Sequence, residues 1–223
     1  MTQDAWNRFL ERLPYFLTTL LSGAVTTVEV TLGALCLAIV GGLFVALVRL
    51  SGGPFSKLAV AYIEFLRGTP VLAQLFVIYF GLVEVGIKFE PLQAAILGLG
   101  LNGAAYLAEV FRAGIQAIHR GQMEAALSIG LTPLGAMRRV ILPQAFRIVL
   151  PPVGNFSIGL LKDTAVVSVV AAPEIMFRAR QLTTETFQSG QIYLLAALIY
   201  LALSLPLSHL VRRLEHASAR WRA

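Results

Sequence analysis

Charge is what this sequence has least of. Only 13% of its 223 residues are Asp, Glu, Lys or Arg, against roughly 25% in soluble domains, so about half of the usual solvated surface is missing. With 57% hydrophobic residues and a mean hydropathy of +0.75, only lipid or a large partner can cover so much apolar surface. A single cysteine, Cys36, excludes an internal disulfide, and its place in an apolar run makes it a small core residue. Three histidines, His119, His209 and His216, are scattered and suggest no metal site. The sequence holds no GxxxxGK[ST] phosphate loop, no HExxH and no GxSxG. Nothing in it points to catalysis, and the chain is read as not itself an enzyme.

What the sequence does have is long apolar runs. A membrane span needs about 20 residues at 1.5 Å rise each. Five stretches qualify, within residues 15–50, 68–86, 91–110, 152–172 and 191–211. Twelve of the 19 glycines and four of the 10 prolines fall inside these runs, where neighbouring helices re-satisfy the backbone. The fold expected is therefore all-α, an integral membrane protein with five transmembrane helices and no separate soluble domain. Asn155-Phe156-Ser157 matches a glycosylation sequon but lies in a span, and is discounted. Residues 1–14 read as a polar tail, carrying Asp4, Arg8, Glu11 and Arg12. The apolar stretch after it is too long for a signal peptide's core, so the first helix is expected to remain in the mature protein. Residues 213–223 form a second tail, and 112–147 is the longest polar connection.

Net charge is +6, but the basic residues are parcelled between spans and call for membrane topology, not nucleic acid. One set of connections holds eleven of them, including Arg112, Arg138, Arg139, Arg212, Arg220 and Arg222; the other holds five, including Lys88 and Arg178. Basic residues favour the cytoplasmic side. The N-terminus is placed outside and the C-terminus and the 112–147 connection inside.

That connection carries the main signal. Residues 122–129 are largely good helix formers and Gly130 is a natural stop. Thr132-Pro133 fits the start of another helix, with threonine as N-cap and proline in the first turn. Pro143 is expected to punctuate the next element. Ala125, Ala126 and Gly130 give a slim profile suited to a groove in another protein. An ordinary surface loop is the competing reading from the residues alone.

The segment resembles the EAA motif of permease subunits in ATP-binding-cassette importers. Glu124-Ala125-Ala126, Gly130 and Leu142-Pro143 fall at that motif's spacing, with Val140 where isoleucine is usual. Residues 62–81, 104–115 and 160–168 resemble the permeases for polar amino acids, and the likeness spans roughly residues 15–212. The resemblance implies a type I, MetI-like permease of five spans in a bacterial inner membrane. It implies a second permease subunit, identical or related, two cytoplasmic ATPases and an extracytoplasmic solute-binding protein. ATP and Mg would be bound by the ATPases, leaving no cofactor in this chain. Glu124, Ala125, Ala126 and Gly130 would then couple the permease to its ATPase.

Ionisable groups inside a bilayer are costly and tend to face a cavity or a partner. Asp163 and Lys162 sit near the middle of the fourth span, about 100° apart on the helix. Asp163 is read as facing the path of a polar amino acid, with a structural pairing as the equal alternative. Asn102, Tyr106 and Glu109 follow i, i+4, i+7 spacing on the third span. Asn102 and Tyr106 join Asp163 as candidate substrate contacts, and Glu109 reads as structural with a basic partner. Ser22, Thr26 and Glu29 make a weaker stripe, expected to face the bundle, and Glu64 is placed to pair with Arg67. The competing function is an ion-coupled secondary carrier of small polar solutes, with Asp163 or Glu109 carrying the proton; it leaves the docking element without a task.

Overall fold

The structure is a computed structural model that describes residues 2–219, so the C-terminal Arg220 and Arg222 of the charge count lie outside the described residues. Helix α1 spans Thr2–Leu50, α2 Pro54–Gly68 and α3 Val71–Phe76, the last prolonged by a π turn and a 3-10 turn to Val85. Helix α4 spans Pro91–Gln116, α5 Arg120–Ser128 and α6 Pro133–Ala136. A π turn, Met137–Ile141, joins α6 to α7, Leu142–Asp163, which runs on as 3-10 turns to Val170. Helix α8 spans Ile175–Thr186 and α9 Ser189–Ala219. Among the described residues there is no strand.

Four helical stretches are long and apolar enough to cross a membrane: Phe9–Leu50, Pro91–Gln116, Pro133–Val170 and Ser189–Glu215. Helices α2 and α3, bent by 104° at residues 69–70, make the fifth if they count as one crossing. An ordered helix, α2, precedes the break. Pro70 explains the geometry, since it disfavours helix at Thr69, whose ψ of 145° is extended. Residues 2–14, read as a tail, continue α1 without interruption, and Phe9 packs with Phe16 and Leu20 against α8 and α9.

The bundle is organised on α1 and α4, which lie side by side and run in the same direction. A Cβ on Gly42 would come within 2.9 Å of Leu107, and one on Gly100 within 2.6 Å of Leu37, so the absence of side chains is what lets these backbones approach. One buried cluster joins Val30, Leu75, Leu99, Leu160 and Val167 from α1, α3, α4 and the end of α7. A second joins Phe16, Leu20, Ile175, Leu182 and Ile192 from α1, α8 and α9.

Three expectations are corrected. Cys36, read as a small core residue, is exposed. The polar seam of α1 that faces the bundle is Thr27 and Thr31, both buried, with hydroxyls that donate to Gly23 and Thr27 carbonyls at 3.1 and 2.7 Å. Ser22 and Glu29 point outward. The stripe was read one residue out of phase, because polar spacing fixes a period but not which side is covered. Pro143 does not interrupt the chain either. It falls in the first turn after the π turn, where its missing N–H and fixed φ are tolerated. Within residues 112–147, helix resumes at Pro133, where the long apolar helical stretch Pro133–Val170 begins.

Candidate functional site

The bend between α2 and α3 leaves carbonyls at the end of α2 without helical partners. Gln74, itself buried, supplies them: its Nε2 donates to Leu66 O at 2.8 Å and to Thr69 O at 3.1 Å. Asn102 of α4 reaches the same place, its Nδ2 donating to Leu66 O at 2.9 Å and to Gln74 Oε1 at 3.2 Å. The amide of Asn102, read as a substrate contact, is thus engaged in holding the break. Tyr106, one turn further along α4, is exposed and stacks on Phe156 of α7 with ring centroids 5.3 Å apart.

Asp163 closes α7 and is exposed, as is Lys162. Seven residues separate Asp163 from Phe156, about 10 Å along the helix. The three sequence candidates therefore do not converge on one point: Tyr106 and Asp163 lie about two turns apart in height. Asn155, passed over as a discounted sequon, is exposed eight residues before Asp163. Lys162 lines a cavity of about 490 Å³ with Met176, Tyr193, Tyr200 and Ser204.

Glu109 has the basic partners expected of it. Its carboxylate is held between Arg49 of α1 and Arg112, with Arg112 Nη2 at 2.7 Å. Glu64 and Arg67, whose spacing allows a pair, are both exposed and form no ion pair among the described residues. Near the other end of the bundle, Glu174 is fully buried. Its carboxylate caps α8, accepting from Met176 N at 2.9 Å and Phe177 N at 2.7 Å, and also accepts from Tyr200 of α9. Burial pushes this carboxyl above the ordinary range, against the opposing pull of those donors. Gly23 of α1 seats against the Glu174 and Ile175 backbone, where a Cβ would come within 2.9 Å.

Helix α5 is built as a separate, stoppered element. His119 Nδ1 accepts from Gly121 N at 3.1 Å at its start. At its end Gly130 takes a left-handed φ of 85°, Gly130 N donates to Leu127 O and Leu131 N to Ala126 O, the paired bonds of a Schellman stop. Thr132 then caps the next helix through Gly135 N at 3.1 Å. Glu124 and Ala125 are exposed and Ala126 is buried. Ile129 at 79% and Leu134 at 78% exposure give this turn an uncovered apolar edge. Gln144 of α7 donates to Gln122 Oε1 at 3.2 Å and ties α5 to the fourth span.

Four helices apolar and long enough to cross a membrane, with a bent pair that would make a fifth, stand beside an exposed helix with an uncovered apolar edge. Residues 38–220 match the family of binding-protein-dependent transport system inner membrane components, and the chain belongs to that family. It is 41% identical over 187 residues to the probable glutamine ABC transporter permease protein GlnM of Bacillus subtilis (strain 168), covering 82% of this chain and 87% of that protein. A chain from the crystal structure of an amino acid ABC transporter with histidines superposes with a TM-score of 0.88 at 38% identity, covering 94% of this chain and 98% of the other. A chain of the inward-facing MetNI methionine ABC transporter shares the fold at a TM-score of 0.69 and 21% identity, covering 89% and 97%.

Proposed function

We propose that this chain is the membrane-spanning subunit of an ATP-driven importer for a polar amino acid and that it hydrolyses nothing itself. It works in a pair of permeases with two cytoplasmic ATPases, which bind ATP and Mg, and with an extracytoplasmic binding protein. Its N-terminus lies outside and its C-terminus in the cytoplasm. Helix α5, with Glu124, Ala125, Ala126 and Gly130, is the ATPase dock. Asp163 and Tyr106 line the passage, and Asn102 shapes it by holding the α2–α3 break.

One observation carries the reading. A chain of a binding-protein-dependent transport family projects a capped, nine-residue helix whose following turn exposes Ile129 and Leu134. An uncovered apolar edge beside a helix has a use in a subunit that must pass movement to a partner, and none in a carrier acting alone. The test is uptake into proteoliposomes holding the permease, its ATPase and its binding protein. Amino acid should accumulate only with ATP on the ATPase side. Uptake by the permease alone under a proton gradient, indifferent to ATP, would favour the secondary carrier.

A further inference from the structure

The helix that carries the fourth span is longer than a bilayer is thick. It runs without a loop from Pro133 through the π turn Met137–Ile141 into α7 and on to Val170. From Val170 down to Arg139 it measures about 50 Å, counting 1.5 Å per α-helical and 2.0 Å per 3-10 residue. At an ordinary tilt of about 20° that covers about 47 Å of depth. With Val170 at the outer edge of a core about 30 Å thick, Arg139 stands about 15 Å past the inner edge. A leaflet's headgroup layer takes up only about 5–8 Å of that. Arg138 and Arg139 therefore stand in water. Both are exposed, and neither makes a hydrogen bond or ion pair among the described residues. With Thr132, Leu134 and Gly135 they line a cavity of about 490 Å³. Leu134 also belongs to the uncovered apolar edge beside Gly130, so the cationic cavity adjoins α5.

We propose, resting on the transport reading above, that Arg138 and Arg139 grip an acidic patch on the ATPase, as a second attachment beside α5. Two adjacent guanidinium groups repel each other, and their planar forks match carboxylates. The stem that presents them is held in place. Ala136, Ile141 and Ala145 are buried, and Gln144 donates to Val140 O at 3.0 Å. The two attachments act differently on the span. Helix α5 reaches it through residues 129–132 and the bond between Gln122 and Gln144. The arginines stand on the same continuous helical stretch as α7. A pull on α5 has to pass that link, whereas a pull on the arginines moves α7 directly. The apolar edge supplies fit, and the arginines supply a hold that salt weakens.

The experiment is titration of the ATPase onto the permease in nanodiscs of zwitterionic lipid alone, at low and at high salt. The affinity of the intact permease should fall as salt rises. Arg138→Gln with Arg139→Gln should weaken binding about tenfold at low salt, the scale of two exposed ion pairs, and flatten the salt dependence. Arg138→Glu with Arg139→Glu should weaken it further, by adding repulsion. Arg138→Lys with Arg139→Lys keeps the charge and should keep the salt dependence. Gly130→Val should weaken binding at every salt concentration and leave the salt dependence in place. Equal affinity and salt dependence in the intact and doubly neutralised permease overturns the proposal. So does an effect of the arginines that appears only when anionic lipid is added, which assigns them to headgroups. If the ATPase does not bind the intact permease at all, the transport reading itself fails. If it binds and only Gly130→Val weakens it, α5 alone is the dock.

Discussion

The hydroxyl of Tyr200, on α9, donates to the fully buried carboxylate of Glu174, which at the same time caps α8. Three elements meet there, because Gly23 of α1 backs the same peptide. Removing the hydroxyl by Tyr200→Phe leaves a buried carboxylate oxygen without that donor, at a cost of about 1–3 kcal/mol. The detergent-solubilised complex should lose thermal stability, while Glu174→Ala should loosen α8 more, by removing its cap as well. Equal melting temperatures for wild type and Tyr200→Phe would mean the contact contributes nothing.

Gln74 and Asn102 hold the α2–α3 break together, sharing the Leu66 carbonyl and bonding each other. Each truncation to Ala should destabilise the protein by about 1–3 kcal/mol, and the pair should be non-additive by at least about 0.5 kcal/mol. Additive effects in a double-mutant cycle would show that the two amides act independently. This outcome also bears on Asn102 as a substrate contact, since a residue whose role is the break alters stability before it alters affinity.

Gly130 sits at φ 85° with nothing within 4 Å of an added Cβ, so a substitution there is limited by backbone strain and not by space. Asn tolerates this conformation and β-branched residues do not. Gly130→Asn should keep ATPase association and ligand-stimulated hydrolysis, while Gly130→Val should weaken both and leave membrane insertion intact. Equal coupling in the two variants would remove α5 as the dock.

The α5 element and the turn after it were the most legible part of the sequence, because their signals are local. Gly130, Thr132 and Pro133 each act through their own backbone, and the stop and the cap stand where their chemistry placed them. What failed was phase and continuity. Ser22, Thr26 and Glu29 share a period with Thr27 and Thr31, and only the packed partner decides which set is buried. Pro143 was taken for a break because the π turn that absorbs it leaves no trace in composition. Tyr106 and Asp163 were grouped because both are polar within spans, whereas their separation in height depends on how α4 registers against α7.

Orientation can be read from two positions with large exposure, Ile129 beside α5 at 79% and Phe187 after α8 at 90%. In a Cys36→Ala background, Phe187→Cys should react with an impermeant thiol reagent added to intact cells. Ile129→Cys should react only after the membrane is opened. The reverse pattern would invert the topology and with it the eleven-to-five reading of the basic residues.

Asp163 is the position at which the proposed substrate contact is most directly tested. Its carboxylate is exposed at the end of α7, has no hydrogen-bond partner among the described residues, and lies beside the open space over Gly159. Asp163→Asn keeps the size and most of the hydrogen-bonding capacity but removes the charge. If the carboxylate meets a substrate ammonium, the lost charge-assisted bond is worth roughly 1.5–3 kcal/mol, or on the order of ten- to a hundredfold in uptake at low substrate. Complex assembly and basal ATP hydrolysis should survive, because the carboxylate makes no hydrogen bond among the described residues and its one charged neighbour, Lys162, is exposed beside it. A structural role predicts the opposite pattern, with poor assembly or a lower melting temperature and normal uptake per assembled complex. Uptake is therefore to be measured over a range of amino-acid concentrations and normalised to assembled permease. A fully assembled Asp163→Asn complex that transports at the wild-type rate throughout that range would take this residue out of the pathway.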